Sequence, residues 1–271
     1  MKQGESKKEK EMIRRKFSRA ADGYDNYAMI QRKCASHLLE TLPSGFRPDS
    51  ILEIGCGSGN YSRLLKEKYP GAAVTALDFS EEMLNIARQK TGGKGISFFT
   101  REAENYLVQA EKRFSLITSN ATLQWFKDLS GAFANMAKIL EEDGIIHVSV
   151  FGPGSLTSLG KALREVVDSS IILPSEKFTD SASLREAASS HFDHLEIEEL
   201  NFDRNFHSFL ELLRQIHNTG TGGFMDKTPR FTKSIIGELD KYLESQSAGH
   251  TGSEGFTVSY QVYFLSASLS R

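Results

Sequence analysis

The chain has 271 residues, 39% of them hydrophobic and 25% charged, with a net charge of -2. That length suits one large α/β domain, and the balance lacks the basic excess that a nucleic-acid partner usually demands. No apolar run reaches the roughly 18 residues that cross a bilayer, no apolar core follows the charged start MKQGESKKEKEMIRRKF as in a secretory signal, and Cys34 and Cys56 are too few and too ill-spaced for a disulfide framework or a zinc site, so a reducing cytoplasm is expected.

Residues 1–12 are polar and expected to fray. A helical pattern covers 13–42, broken around ADGYDNY and stopped by Pro43. Strand-like and helix-like runs then alternate. SILEIG precedes NYSRLLKEKY, AAVTALDFS precedes EEMLNIARQK, and GISFFT precedes ENYLVQAEK; FSLITSN precedes LSGAFANMAKILEEDG, which leads into GIIHVSVF. Five strands interleaved with helices predict a parallel sheet covered on both faces. After Phe151 the rhythm changes. Helices are expected in 152–178 and 207–250, around SLREAASSHF, and strands over 194–206 and 256–269. The helices of 152–178 and 207–250 would form a lid on a single domain.

The most informative stretch is ILEIGCGSGN, residues 51–60. Gly55, Gly57 and Gly59 follow a β-branched run at the carboxyl end of the first strand, where ligands bind in open α/β sheets. A Cβ there would block a ligand's approach, and the helix starting at Asn60 turns its positive end to the same crevice. Dinucleotide enzymes show G-x-G-x-x-G with a pyrophosphate on that helix end; here Asn60 replaces the third glycine, which suits a nucleoside without pyrophosphate. Glu53 precedes the glycines. Asp78 ends the second strand about twenty residues on, where an acid chelates ribose hydroxyls, and Glu102 follows strand three, placed for an adenine edge. Three acids favour a positively charged nucleoside over a phosphate.

These motifs resemble the class I S-adenosylmethionine methyltransferases: LEIGCGSG, ALDFS, TREAEN and FSLITSNATLQWF occur in that order over residues 48–151. The resemblance implies an α/β, Rossmann-like fold, a mixed and mostly parallel seven-stranded sheet with helices on both faces and an added helical lid. It implies S-adenosyl-L-methionine as cofactor, with 48–151 as the cofactor-binding half. Carried onto the motifs, it implicates Glu53, Gly55, Cys56 and Gly57 in the first, Asp78, Phe79 and Met83 around the second, Glu102 and Ala103 in the third, and Asn120 in the fourth.

The fourth motif bears on the acceptor. SNATLQWF has no proline, unlike the amide-gripping run of nitrogen-methylating relatives, and no acids cluster with metal-ligand spacing. The absence of an obvious Cys nucleophile or His–acid pair favours an acceptor already ionised at neutral pH, such as a carboxylate. FSRAADGYDNYAMIQRKCASHLL, SNATLQWFKDLSGAF, FGPGSL and SYQVYF are similar to the malonyl-[acyl-carrier-protein] O-methyltransferases of biotin synthesis, over nearly the whole chain and most loosely from 171 to 250. That resemblance implies esterification of the free carboxylate of a malonyl thioester, on acyl carrier protein or coenzyme A. His217-Asn218-Thr219 stand where the family often has Gly-Ala-Thr, which bears on acyl specificity.

Tyr24 and Tyr27, three apart on one helical face, are expected to cap the methyl site, with 13–42 an N-terminal helical lid segment, or else simply to pack that segment against the core; Gln31 lies one turn on, within reach of the cofactor. Trp125 and Phe126 are expected as core or pocket wall. Arg214 is the candidate cation for the acceptor carboxylate, against a solvated helix charge. Lys161, Arg164, Lys227, Arg230 and Lys233 are candidates for docking an acidic carrier, or ordinary solvated charges. Three rivals stay open: a carboxyl methyltransferase for a small free acid such as aconitate, a non-catalytic cofactor binder, and a nicotinamide-dependent dehydrogenase, which Asn60 and the acids disfavour.

Overall fold

Strand β1 (Ser50–Ile54) is buried from Ile51 to Ile54 and carries apolar side chains on both faces, as a strand at the centre of a covered sheet must, with Glu53 its one buried acid. It pairs in parallel with β2 (Ala73–Asp78) on one side and β4 (Phe114–Asn120) on the other. Beyond β2 lies β3 (Ile96–Thr100), and beyond β4 lies β5 (Leu140–Phe151), both parallel. The last strand in the chain, β7 (Phe256–Ser268), inserts antiparallel between β5 and β6 (His194–Phe206). The order is β3-β2-β1-β4-β5-β7-β6. Chain direction across the sheet reverses between β1 and β4, so the binding crevice falls at the carboxyl ends of those strands. The protein is described from a computed structural model covering residues 2–92, 95–219, 231–247 and 255–270, with side chains from Lys8 onward.

The period of two along β1 divides the core. Leu52 and Ile54 join Ile117 under α7 (Leu129–Ile139) and α9 (Ser181–Ser189); Ile51 joins Val74 and Leu116 under α3 (Met29–Thr41) and the lid helices. Glu53 therefore points to the α3 side. Helices α4 (Asn60–Lys68) and α5 (Glu81–Thr91) begin directly after β1 and β2, and their positive ends face the crevice. Ser80 caps α5 by accepting from Met83 N at 3.2 Å, with Glu81 and Glu82 in the first turn. Beyond β5, α8 (Thr157–Val166) packs on α11 (Lys233–Gln246), with α10 (Phe209–Asn218) beside it. No described helix is long and apolar enough to cross a membrane.

Two elements differ from expectation. The described part of the polar start is helical: α1 runs unbroken over Lys2–Ala20. Glu11 pairs with Arg14 at 2.8 Å and with Arg15 at 2.9 Å along its exposed side, and Lys10 reaches Glu102 at 2.7 Å across the sheet edge. The predicted interruption at ADGYDNY is present as one 3-10 turn, Ala21–Gly23, followed by the single turn α2 (Tyr24–Tyr27). The second difference is at β5, which starts at Leu140, where the helix-like period runs on to Gly144. Leu140 pairs with Phe114 and Ile145 with Leu116, so the ladder shifts register there and Glu141–Gly144 bulge out of it.

Candidate active site

The glycine loop is built by β2 as much as by β1. Leu77 O accepts from Gly55 N at 2.8 Å and from Cys56 N at 2.9 Å, which folds the loop back over the end of β2. Asp78 then takes Gly57 N on one carboxylate oxygen at 2.8 Å and Ser80 N on the other at 2.9 Å. Gly55 has φ +71° and sits so close to Thr122 that a Cβ would lie 2.1 Å from its Oγ1. Gly57 has φ +53°, and a Cβ there would meet nothing within 4 Å, because it would project into the crevice.

That crevice is a cavity of about 750 Å³, mouth included. Gly55, Gly57 and Asp78 floor it, Phe79, Met83, Glu102 and Ala103 form the side under β2 and β3, and Asn120 closes the β4 side. Tyr24 lines it from above. A narrow extension sharing Tyr24, Gly55, Gly57 and Asn120 adds Glu53, Cys56 and Gln31. The Gln31 carbonyl accepts from Asn120 Nδ2 at 2.9 Å, which joins α3 to the end of β4.

The electrostatics ask for a cation. Glu53 is 1% exposed and Asp78 7%. Burial pushes the Glu53 carboxyl up to about 8, opposed by the Ser62 hydroxyl bonded to it at 2.5 Å and reinforced by repulsion from Asp78. Burial likewise pushes Asp78 up to about 6, although its backbone hydrogen bonds favour the charged form. Neither acid has a basic side chain bonded to it among the described residues. A ligand carrying a sulfonium and an ammonium would relieve both, while a pyrophosphate would add to the repulsion. The residues present therefore fit S-adenosylmethionine.

Glu102 is differently employed. It caps α6 (Ala103–Gln109), accepting from Asn105 N at 2.9 Å, and pairs with Lys10 of α1 at 2.7 Å. The three acids thus form a buried pair and a neutralised third, not one cluster. Both cysteines are buried, and burial pushes their thiols up, away from nucleophilic use.

Above the cavity stands an aromatic group that the sequence reading did not assemble. Phe17 of α1 has its ring centroid 6.4 Å from Tyr24, 6.2 Å from Phe79 and 6.3 Å from Trp125. Trp125 in turn meets Phe178 edge-on at 5.1 Å. Trp125 and Phe126 are cavity wall. Lys10 and Asp25 were also missed; the second lies inside GYDNY, where an acid between two singled-out tyrosines was the available signal.

Trp125 and Gln31 also line a second chamber of about 560 Å³ beneath the lid, walled by Ile30, Phe151 and Phe178 with Ser175, Gln215 and Tyr260. Arg214 is not there. It is exposed on α10, whose buried side carries Leu212, Gln215 and Thr219, which accords with the alternative of a solvated helix charge. Tyr27 is half-buried and lines neither the cavity nor the chamber. Among the docking candidates, Lys161 and Lys233 are exposed, whereas Arg164 is tied to Glu176 at 2.8 Å and the Ile171 carbonyl at 3.2 Å. Lys227 and Arg230 lie outside the described residues.

Comparison with known proteins adds the family. A methyltransferase-domain model matches residues 51–144. Malonyl-[acyl-carrier protein] O-methyltransferase 2 of Ilyobacter polytropus is 30% identical over 89% of this chain and 92% of its own length. The YcgJ protein of Bacillus subtilis shares the fold, with a TM-score of 0.61 at 15% identity over 89% of this chain and 99% of that one. Phosphoethanolamine N-methyltransferase 2 of Haemonchus contortus, solved with S-adenosyl-L-methionine, gives 0.54 at 17% identity, covering 87% of this chain and 52% of its own. By its cofactor cavity, its sheet order and its whole-length similarity, the chain belongs to the malonyl-[acyl-carrier protein] O-methyltransferase family of class I methyltransferases.

Proposed function

We propose that the chain transfers the methyl group of S-adenosylmethionine to the free carboxylate of a malonyl thioester, an early step of biotin synthesis. The observation that carries this reading is similarity to a curated malonyl-[acyl-carrier protein] O-methyltransferase across 89% of the chain. The name of that relative favours acyl carrier protein over coenzyme A as the thioester carrier. With two buried cysteines and a net charge of -2, a cytoplasmic enzyme without a nucleic-acid partner is the accompanying reading.

The site chemistry supports it. The cofactor supplies an electrophilic methyl, and a carboxylate attacks it without a general base, because it is ionised at neutral pH. Glu53 and Asp78 hold the cationic nucleoside from below; Phe17, Tyr24 and Trp125 shut water out from above. Opposite charges on acceptor and donor cancel as the new bond forms, so a dry, aromatic-walled site disfavours the charged reactants more than the transition state. Tyr24 is the aromatic nearest to this role: it lines both the main cavity and its extension, where a ring face can meet a sulfonium.

The test is a methyl-transfer assay with malonyl-carrier protein, malonyl-coenzyme A and free malonate side by side. Turnover of the thioesters and not of malonate is expected. Preference for free acids would make the chain a small-molecule carboxyl methyltransferase, and cofactor binding with no turnover on any of the three would make it a non-catalytic binder.

A further inference from the structure

The chamber beneath the lid carries polar atoms that nothing in the fold uses. Ser175 is 4% exposed and Gln215 is 2% exposed, yet Ser175 Oγ and Gln215 Oε1 have no hydrogen-bond partner. Gln215 Nε2 donates weakly to Tyr260 Oη at 3.4 Å, which leaves the phenol's own proton free to be donated elsewhere. Burial pushes the Tyr260 hydroxyl up to about 12, so it remains a donor throughout the physiological range. All three side chains line the chamber, on three separate elements: the turn Pro174–Lys177, α10 and β7. Folded proteins seldom leave buried polar atoms unpaired; two such atoms beside a phenol with a proton to give, all on one cavity, mark a built polar seat.

We propose that Ser175 and Tyr260 seat the acceptor's acyl group, their two hydroxyls donating to its carboxylate while the Gln215 amide holds the Tyr260 phenol in place, so that the anion is positioned by neutral groups rather than gripped by a cation. The inference rests on the malonyl-thioester reading and names residues for it. Its place is consistent with the chemistry, because Gln31 and Trp125 border the chamber and also line the cofactor cavity or its extension. No Lys or Arg lines the chamber among the described residues. Neutral donors suit this reaction. A bidentate guanidinium would hold both oxygens and draw electron density from the nucleophile, whereas single hydroxyl bonds hold one oxygen and leave the other to attack. The surrounding Ile30, Phe151 and Phe178 then leave room for a short acyl chain in apolar surroundings.

The test measures steady-state kinetics with malonyl-coenzyme A, together with calorimetric titration of malonyl-coenzyme A into the enzyme loaded with S-adenosylhomocysteine. Ser175→Ala and Tyr260→Phe are each expected to raise KM and the thioester Kd by about fivefold or more, with the homocysteine-product affinity unchanged. Gln215→Leu is expected to do the same; because that side chain is buried between elements, the two smaller changes keep the test sound if it fails to fold. Lys227→Ala and Arg230→Ala serve as the contrast. Wild-type binding and KM in both Ser175→Ala and Tyr260→Phe overturn the proposal. So does a loss of thioester binding confined to Lys227→Ala or Arg230→Ala, which would assign the carboxylate to a cation. A wild-type chain that binds the homocysteine product but neither binds nor methylates malonyl-coenzyme A or malonyl-carrier protein overturns the functional reading and this inference together.

Discussion

Asp25 of α2 and Lys90 of α5 form an ion pair at 2.5 Å, and the same carboxylate accepts hydrogen bonds from Ser58 and from Asn60 Nδ2 at 2.7 Å. One acid thus ties the N-terminal segment to the glycine loop, to the first residue of α4 and to the end of α5. Burial alone would raise its pKa, but the Lys90 and Ser58 bonds prevail and hold it below the usual carboxylate range. Tyr24, its neighbour in sequence, is held over the cavity by this attachment.

Asp25→Ala should therefore loosen the roof of the cofactor site rather than unfold the domain. Both partners are partly exposed, so we expect a modest effect: affinity for S-adenosylhomocysteine falls about fivefold, near 1 kcal/mol. Lys90→Met should give a similar loss, and the double variant little more than either single one, since both act through one contact. Limited proteolysis should cut the variants faster within α1. Unchanged affinity in Asp25→Ala would show that the tie has no bearing on the ligand.

The buried acids predict a pH dependence with a definite sign. Glu53 stands at about 8 and Asp78 at about 6 in the ligand-free protein, against unfolded values of about 4.3 and 3.9. The folded state thus holds these protons more tightly than the unfolded chain. Their contribution to stability is complete below about pH 4 and is lost as pH rises through about 6 for Asp78 and about 8 for Glu53. The melting temperature of the ligand-free protein should accordingly decline between pH 5 and 8.5, net of other groups. Over the same range affinity for cationic S-adenosylmethionine should rise more steeply than for its product, which carries one positive charge fewer. Calorimetry in buffers of different ionisation enthalpy would register proton release on binding near pH 7. Parallel pH profiles for the two ligands would count against Glu53 as the responsible acid.

Gly57 separates ligand binding from folding. Alanine there meets no protein atom, but it must adopt φ near +53°, at a cost of about 1–2 kcal/mol. Its methyl would occupy the crevice where the nucleoside approaches. Gly57→Ala should weaken S-adenosylhomocysteine binding at least about tenfold, roughly 1.4 kcal/mol, while the melting temperature drops only a few degrees. Gly55→Ala should instead injure the fold itself, because its Cβ would strike Thr122. A Gly57→Ala protein that binds like wild type would place the ligand elsewhere.

The legible parts of this fold are those governed by local chemistry. The β1 run, the bare loop behind it and the acid ending β2 are written within a few residues of one another, and the structure joins them by bonds as short as Gly57 N to Asp78 at 2.8 Å. What escaped was long-range. Nothing near Lys10 in sequence announces Glu102, 92 residues away, and nothing in MKQGESKKEKEMIRRKF shows that Phe17 will reach Phe79 and Trp125. The start of β5 was misplaced because Leu140 continues the helical period of α7 although its backbone is already extended. The outward direction of Arg214, by contrast, had a local signal. Phe209, Leu212 and Ile216 recur at helical spacing in FLELLRQIHN and set the inward face, which includes Gln215 and leaves Arg214 turned away.

That orientation gives the last prediction. Arg214 is exposed on α10 and lines neither the cofactor cavity nor the chamber beneath the lid. A side chain that does not reach the acceptor contributes little to its transition state. Arg214→Ala should thus keep kcat/KM for malonyl-coenzyme A within about twofold of wild type, some 0.4 kcal/mol. A residue gripping the carboxylate would behave otherwise, since losing a charge-assisted hydrogen bond is worth about 1.5–3 kcal/mol, or more than tenfold. The comparison is cleanest with the coenzyme A thioester, because an exposed arginine on a lid helix can still meet an acidic carrier protein and change its encounter rate. A loss seen with carrier protein, weakened by salt and absent with coenzyme A, would therefore place Arg214 on the docking surface. A tenfold loss with malonyl-coenzyme A itself would mean that α10 rotates inward when the acceptor binds, and that the exposed position of Arg214 is not the one in which the enzyme works.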